Sequence, residues 1–331
     1  MKERKRASTP RAQPQGIESP AFPEYKMVEA SSDPALVGKL LRLLRPDLKK
    51  SKHGRNDKQK DDPADVFQEE AKRDAEESLN QGGWMSPHAK ARVAALVEHE
   101  DFKDFIRFDG GMAEEAYTDS DYLLVNGNEP TEEPTLSPMT FVGSSIFTFV
   151  PDVEVRKFFI LGYFCDMHRP FSIAGSETCK PVGIMLSLLG QLASRMLAME
   201  IPVNLEELKD KDWKKIKTRD LEYLGSIFRK LARQLPSDSL LYCVIDEFTY
   251  YDQYGMAEDL ETILQELRKT VKACQEKDRA KFKLLVMTRR DVTSPNLKAV
   301  FKNHTIDLPE FVEPGDSSQA TMEQFSRGEW N

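Results

Sequence analysis

The sequence predicts an α/β protein: a three-layer sandwich around a mainly parallel sheet of about five strands, with disordered tails at both ends. Three observations carry this. Apolar runs of strand length lack the polar alternation of a half-exposed sheet, so both of their faces are buried. These are YLLV at 122–125, FFILGYF at 158–164, LLYCVI at 240–245 and FKLLVM at 282–287. Stretches with helical spacing lie between them, and strand–helix–strand alternation is the pattern of a parallel sheet covered on both sides. Both ends of the chain are rich in charge, proline and serine and have little to bury.

In chain order, residues 1–82 read as a mostly disordered charged tail holding two short helices. One spans 34–44, with Val37, Leu40, Leu41 and Leu44 on one face; the other, at 65–79, is mostly charged. The ordered domain is expected over 83–310, with order beginning near Trp84. Ser86-Pro87 is a helix start, a capping hydroxyl followed by proline in the first turn. Val93, Leu96 and Val97, then Phe102, Phe105 and Ile106, continue its apolar face before an acidic loop at 109–121. After the strand at 122–125, a helix is predicted at 138–149, then the strand at 158–164 and helices at 181–199 and 221–235. The strand at 240–245 leads to a helix at 257–274, the strand at 282–287, a short helix at 295–301 and a short strand at 305–308. Residues 311–331 read as a flexible tail.

The net charge of −8 disfavours a general nucleic-acid binder. No uninterrupted apolar stretch has the length of a bilayer span, and the basic start MKERKRASTP lacks the apolar segment of a secretory signal. These features predict a cytoplasmic protein with no membrane contact. Basic clusters at 2–6 and 49–60 read either as solvated linker or as a nuclear-import address. Cys165, Cys179, Cys243 and Cys274 read as reduced thiols, and Cys165-Asp-Met-His168 is half of a zinc pattern with no second half.

In such folds ligands sit at the carboxyl ends of the strands. The third strand ends in VIDEF. Asp246 and Glu247 read either as a strand cap or as a metal-holding pair, Asp246 on Mg²⁺ and Glu247 polarising a water. The fourth strand ends in VMTRR, where Thr288 and Arg289 read either as phosphate contacts or, for the arginines, as ion-pair partners of Asp246 or Glu247.

The ordered segments LLVNGN, SPMTFV, FFILGYFCDMH, PVGIMLSLLGQL, LARQLPSDSLLYCVIDEFTYYD and FKLLVMTRR resemble a set of fungal proteins with a degenerate NACHT or nephrocystin-like domain of the STAND class. The resemblance covers about 84–310 and implies a P-loop NTPase-like fold of the ASCE type. Members with an intact site bind ATP or GTP with Mg²⁺ and switch between closed and assembled states. It also implies that Asn126, Gly127 and Asn128 stand where the phosphate loop begins, with Thr288 and Arg289 opposite.

The loop departs from the pattern G-x-x-x-x-G-K-[ST]. No Gly-Lys-Ser or Gly-Lys-Thr occurs in the chain, and no Lys or Arg lies between Arg107 and Arg156. Glu129, Glu132 and Glu133 stand where phosphates would be, and a like-charge pair at ~4 Å repels by ~1 kcal/mol in water and several-fold more in a dry site. Pro130 and Pro134 remove amide donors, which leaves the helix start at Ser137-Pro138 as a weak anion site. The expectation is a non-catalytic interaction and signalling module with protein partners or self-association and no cofactor. The alternative is a nucleotide-binding switch, ATP or GTP with Mg²⁺, built on a non-standard loop. The stretch LKDKDWKKIKTR at 208–219 reads as a solvated helix, and the scattered histidines suggest no catalytic base.

Overall fold

The computed structural model describes residues 33–45, 63–82, 85–106, 120–129, 137–148, 158–168, 180–292, 294–315 and 317–328. The expectations for the basic clusters, Trp84, Cys179, Pro130, Glu132, Glu133, Pro134 and nearly all of the acidic loop lie outside these residues.

Five strands form one all-parallel sheet in the order β2-β3-β4-β1-β5. They are β1 (Asp121–Asn126), β2 (Phe158–Phe164), β3 (Leu240–Asp246), β4 (Lys281–Thr288) and β5 (Thr305–Asp307). β4 is thus inserted between β3 and β1. The register pairs Phe164 with Asp246 and Asn126 with Thr288, so the strands end nearly level and their last residues form one rim.

Alternate residues of each strand enter different cores, which is why the strand sequences are apolar throughout. Leu161, Cys243, Ile245, Leu284 and Val286 pack with helices α6 (Pro181–Ala198), α8 (Leu221–Ala232) and α9 (Ala257–Cys274). Ile160, Val244, Leu285 and Met287 pack on the other face with α3 (Pro87–Glu98), α4 (Glu100–Ile106) and α5 (Pro138–Thr148). The predicted three layers are therefore present. Helix starts follow local chemistry: the side chains of Ser86 and Asp220 accept from the amides of Ala89 and Tyr223, which caps α3 and α8.

The helices assigned to the tails behave differently from that expectation. In α1 (Pro34–Leu44), Val37, Leu40, Leu41 and Leu44 are fully or almost fully buried, packed beside α6 and α7 (Asp210–Lys217). In α2 (Pro63–Gly82), Phe67, Ala71 and Ala75 are buried, and the helix packs along β2, α5 and α6. Its apolar stripe is one residue wide and mostly alanine, too narrow to stand out among its charges. Gly190 of α6 leaves room for the Phe67 ring; a Cβ there would meet it at 2.4 Å. At the other end, α11 (Ser318–Ser326) sets Met322 and Phe325 into the core beside α3. Helix α10 (Pro295–Val300) completes the set.

The Gln191 side chain closes the outer edge of β2. Its Oε1 accepts from the Gly162 amide at 3.0 Å, and its Nε2 donates to the Gly162 carbonyl at 2.8 Å. A buried amide side chain thereby takes the place of a further strand. Among the described residues only α6 is long and apolar enough to cross a membrane, and most of it is buried inside the protein. Such a helix passes the composition test because both its faces meet apolar neighbours.

Candidate functional site

The rim brings together the residues singled out at the strand ends, and it divides into two parts on either side of β4. On the β1 side the polar groups bond to one another. The Thr288 hydroxyl donates to Asn126 Oδ1 at 3.0 Å, and Asn126 Nδ2 donates to Asp307 Oδ1 at 2.6 Å. Asn128, with φ 49° in the left-handed region that asparagine tolerates, donates through Nδ2 to the Leu308 carbonyl at 2.9 Å.

The backbone after β1 does not curl. The Gly127 amide donates to the Thr288 carbonyl at 2.7 Å and the Glu129 amide to the Arg289 carbonyl at 2.8 Å, so the chain continues along β4. Gly127 is needed for close approach: a Cβ would lie 2.8 Å from the Thr288 oxygen and 3.1 Å from Met139 Cγ.

Glu129 then turns inward. Its Oε2 lies 2.9 Å from Arg289 Nε, and its side chain is 7% exposed. Its Oε1 accepts from the Ser137 hydroxyl at 2.5 Å, and Ser137 Oγ in turn accepts from the Met139 amide at the head of α5. Burial raises the Glu129 pKa, with Ser137, Arg289 and Arg92 opposing the rise. The ion pair of Arg289 is thus made with Glu129, which corrects the expectation of Asp246 or Glu247 as its partner. Arg92 of α3, which the sequence did not single out, reaches the carbonyls of Pro309 and Glu310 beside this corner.

On the β3 side the groups are not matched. Asp246 is 0% exposed, and neither carboxylate oxygen has a hydrogen-bond partner among the described residues. Burial pushes its pKa up to about 7, while the nearby Thr140 hydroxyl and the Glu247 amide favour the charged form. Glu247 is 7% exposed, its Oε1 is unpartnered, and its backbone is left-handed with φ 52°. Burial and then the Asp246 charge raise its pKa well above the ordinary carboxylate range, while Arg289 opposes the rise. Asp166, in the turn Cys165–His168 after β2, adds to the negative field on both. Two adjacent buried acids with three unpartnered oxygens between them are the arrangement a cation or a proton relieves.

Asp246 and Glu247 suit a Mg²⁺ ion in donor chemistry, yet among the described residues no three Asp, Glu, His or Cys side chains are close enough together to hold a metal. The zinc half-pattern is not assembled either. His168 Nε2 lies 3.1 Å from Asp74 of α2, its ring stacks on Tyr163, and burial holds Cys165 as a thiol.

On the β1 side of the rim, a cleft of about 570 Å³ runs past Asn128, Glu129, Arg290, Asp291, Asp307 and Glu310. A smaller cavity of about 220 Å³ lies between His88, Pro138 and Phe311, with Arg92 and Glu129 among its lining residues. Asp307 and Asp166 were within reach of sequence reasoning, since each ends or follows a strand. Asp74 and Arg92 were not, since nothing local marks a helix residue as facing a strand end. No protein-family model, curated protein or solved structure matches this chain.

Proposed function

We propose that this chain is a non-catalytic NTPase-like module, a degenerate relative of the STAND P-loop NTPases, that acts through protein partners or self-association. One observation carries the reading. The amides of Gly127 and Glu129, which a phosphate cradle would turn toward its ligand, donate to β4 carbonyls. Phosphoryl transfer depends on positioning and electrostatics, and among the described residues this corner turns the Gly127 and Glu129 amides onto neighbouring carbonyls and offers a triphosphate a buried carboxylate in place of a lysine. The insertion of β4 between β3 and β1 supports the NTPase-like part of the reading, because it sets a strand-end carboxylate pair and the loop after β1 on either side of one strand.

A second reading, a nucleotide-dependent switch, is favoured by the unpartnered carboxylates of Asp246 and Glu247. A Mg²⁺ ion bound there would neutralise them and polarise phosphate oxygens. The chain's own part would be to hold that cation through Asp246 and to move Glu129 away from Arg289.

Titration of the full chain with fluorescent ATP and GTP analogues, with and without Mg²⁺, tests the choice. Helices α1 and α2 belong in the sample, since they fill the core. No saturable binding and no turnover are expected. Mg²⁺-dependent micromolar binding that Asp246→Ala abolishes would overturn the non-catalytic reading in favour of the switch.

A further inference from the structure

Arg289 leaves β4 between two carboxylates. The strand order β3-β4-β1 puts Glu247, the residue after β3, on one side and Glu129, three residues beyond β1, on the other. We propose that Glu129 and Glu247 are alternative partners of this one guanidinium, so that Arg289 fastens β4 either to the loop after β1 or to the turn after β3.

The structure shows the first arrangement, Arg289 Nε on Glu129 Oε2 at 2.9 Å. The second is prepared by Glu247. Its side chain is more than nine-tenths buried, its Oε1 lacks a partner, and it already feels the Arg289 charge. Its left-handed backbone is strained for a residue with a side chain, and such strain persists only where the surroundings impose it. The third and fourth carboxylates in the field, Asp246 and Asp166, act on Glu247 with the same sign and increase its demand for a cation.

Exchange of partners would have a structural consequence. Glu129 is the link between the loop after β1 and the head of α5, through Ser137. Once Arg289 turned to Glu247, that link would lose its ion-pair partner, and the 127–129 segment would keep its two backbone bonds to Thr288 and Arg289 and the Asn128 bond to the Leu308 carbonyl. One cation shared between two buried acids is a two-state element. Its use in signalling rests on the non-catalytic reading above, whereas the contact itself needs no nucleotide.

A double-mutant cycle on the full chain, without nucleotide, tests the exchange. Glu129→Gln and Glu247→Gln each leave Arg289 one carboxylate, and each should change the unfolding equilibrium constant by less than about tenfold. The double variant takes both of these carboxylates from Arg289, and its change should exceed the product of the single changes by at least about tenfold. Repeating the cycle with Arg289→Gln should remove the excess. A product obeyed within about twofold, or an excess that survives Arg289→Gln, overturns the proposal. If the double variant does not fold, the Arg289 Nε proton is followed by NMR in Glu129→Gln. A nuclear Overhauser contact from that proton to the Glu247 side chain supports transfer to Glu247, and its absence overturns it. A positive nucleotide titration would overturn the non-catalytic reading and leave this result untouched.

Discussion

On the β1 side of Thr288, Asn126, Ser137 and Glu129 each have a polar partner within 3.0 Å. On the β3 side, a few residues away across the same sheet, both oxygens of Asp246 and one of Glu247 have none among the described residues. The two regions share burial and acidic character. They differ in whether the oxygens of the acid are bonded to a donor. Burial raises the pKa of both Glu129 and Glu247, but Glu129 has an arginine and a hydroxyl in contact, while Glu247 has a second carboxylate beside it. A buried acid becomes a structural tie in the first setting and a site of unmet demand in the second.

The largest effect should come from removing the donor on the matched side. Arg289→Ala leaves Glu129 buried without its ion-pair partner and should destabilise the fold by about 2–3 kcal/mol. The low end of the range for a buried pair applies because the guanidinium is 27% exposed. Equilibrium denaturation of the variant gives the value, and no loss would mean that the contact is incidental.

Next is Gly127→Ala, which drives a methyl group into two β4 carbonyls and Met139 and should cost about 2 kcal/mol. If the variant is as stable as the parent, the loop is not clamped to β4.

The unmatched side should reveal itself by pH. The folded pKa values of Asp246 and Glu247 lie above their ordinary values, so between about 4 and about 7 the folded chain holds more protons than the unfolded chain. Their contribution to stability therefore falls as pH rises through that interval. Asp246→Asn should flatten this part of the profile and stabilise the protein at pH 8 by on the order of 1–2 kcal/mol. A profile unchanged by the substitution would show that a partner satisfies Asp246 in solution. Smallest is Asn126→Ala, which removes side-chain bonds to Thr288 and Asp307 and should cost about 1 kcal/mol in the same denaturation assay.

Much of this contrast was present in the sequence as positions and absent as pairings. The strand ends at Asn126, Asp246 and Thr288 were legible because apolar runs stop there, and the lack of a lysine after β1 was plain. Glu129 was visible as a charge hostile to phosphate, but its tie to Arg289 was not. That tie depends on β4 lying next to β1, which no local pattern encodes. The same limit explains α1, α2 and α11. The sequences of α1 and α2 announce helices, while that of α11 reads as a flexible tail, and whether a narrow stripe such as Phe67, Ala71 and Ala75 is covered depends on a neighbour such as Gly190 that is distant in the chain.

By itself, then, the sequence determined the kind of each element, the parallel character of the sheet and the residues that stand at its rim. Hydrophobic period and chain punctuation act between near neighbours, so they survive without a fold. Only the tertiary structure decided the strand order, the docking of the outer helices, and which buried acids met a donor. Those outcomes depend on distances between residues far apart in the chain, and a shift of one strand position would have changed every one of them.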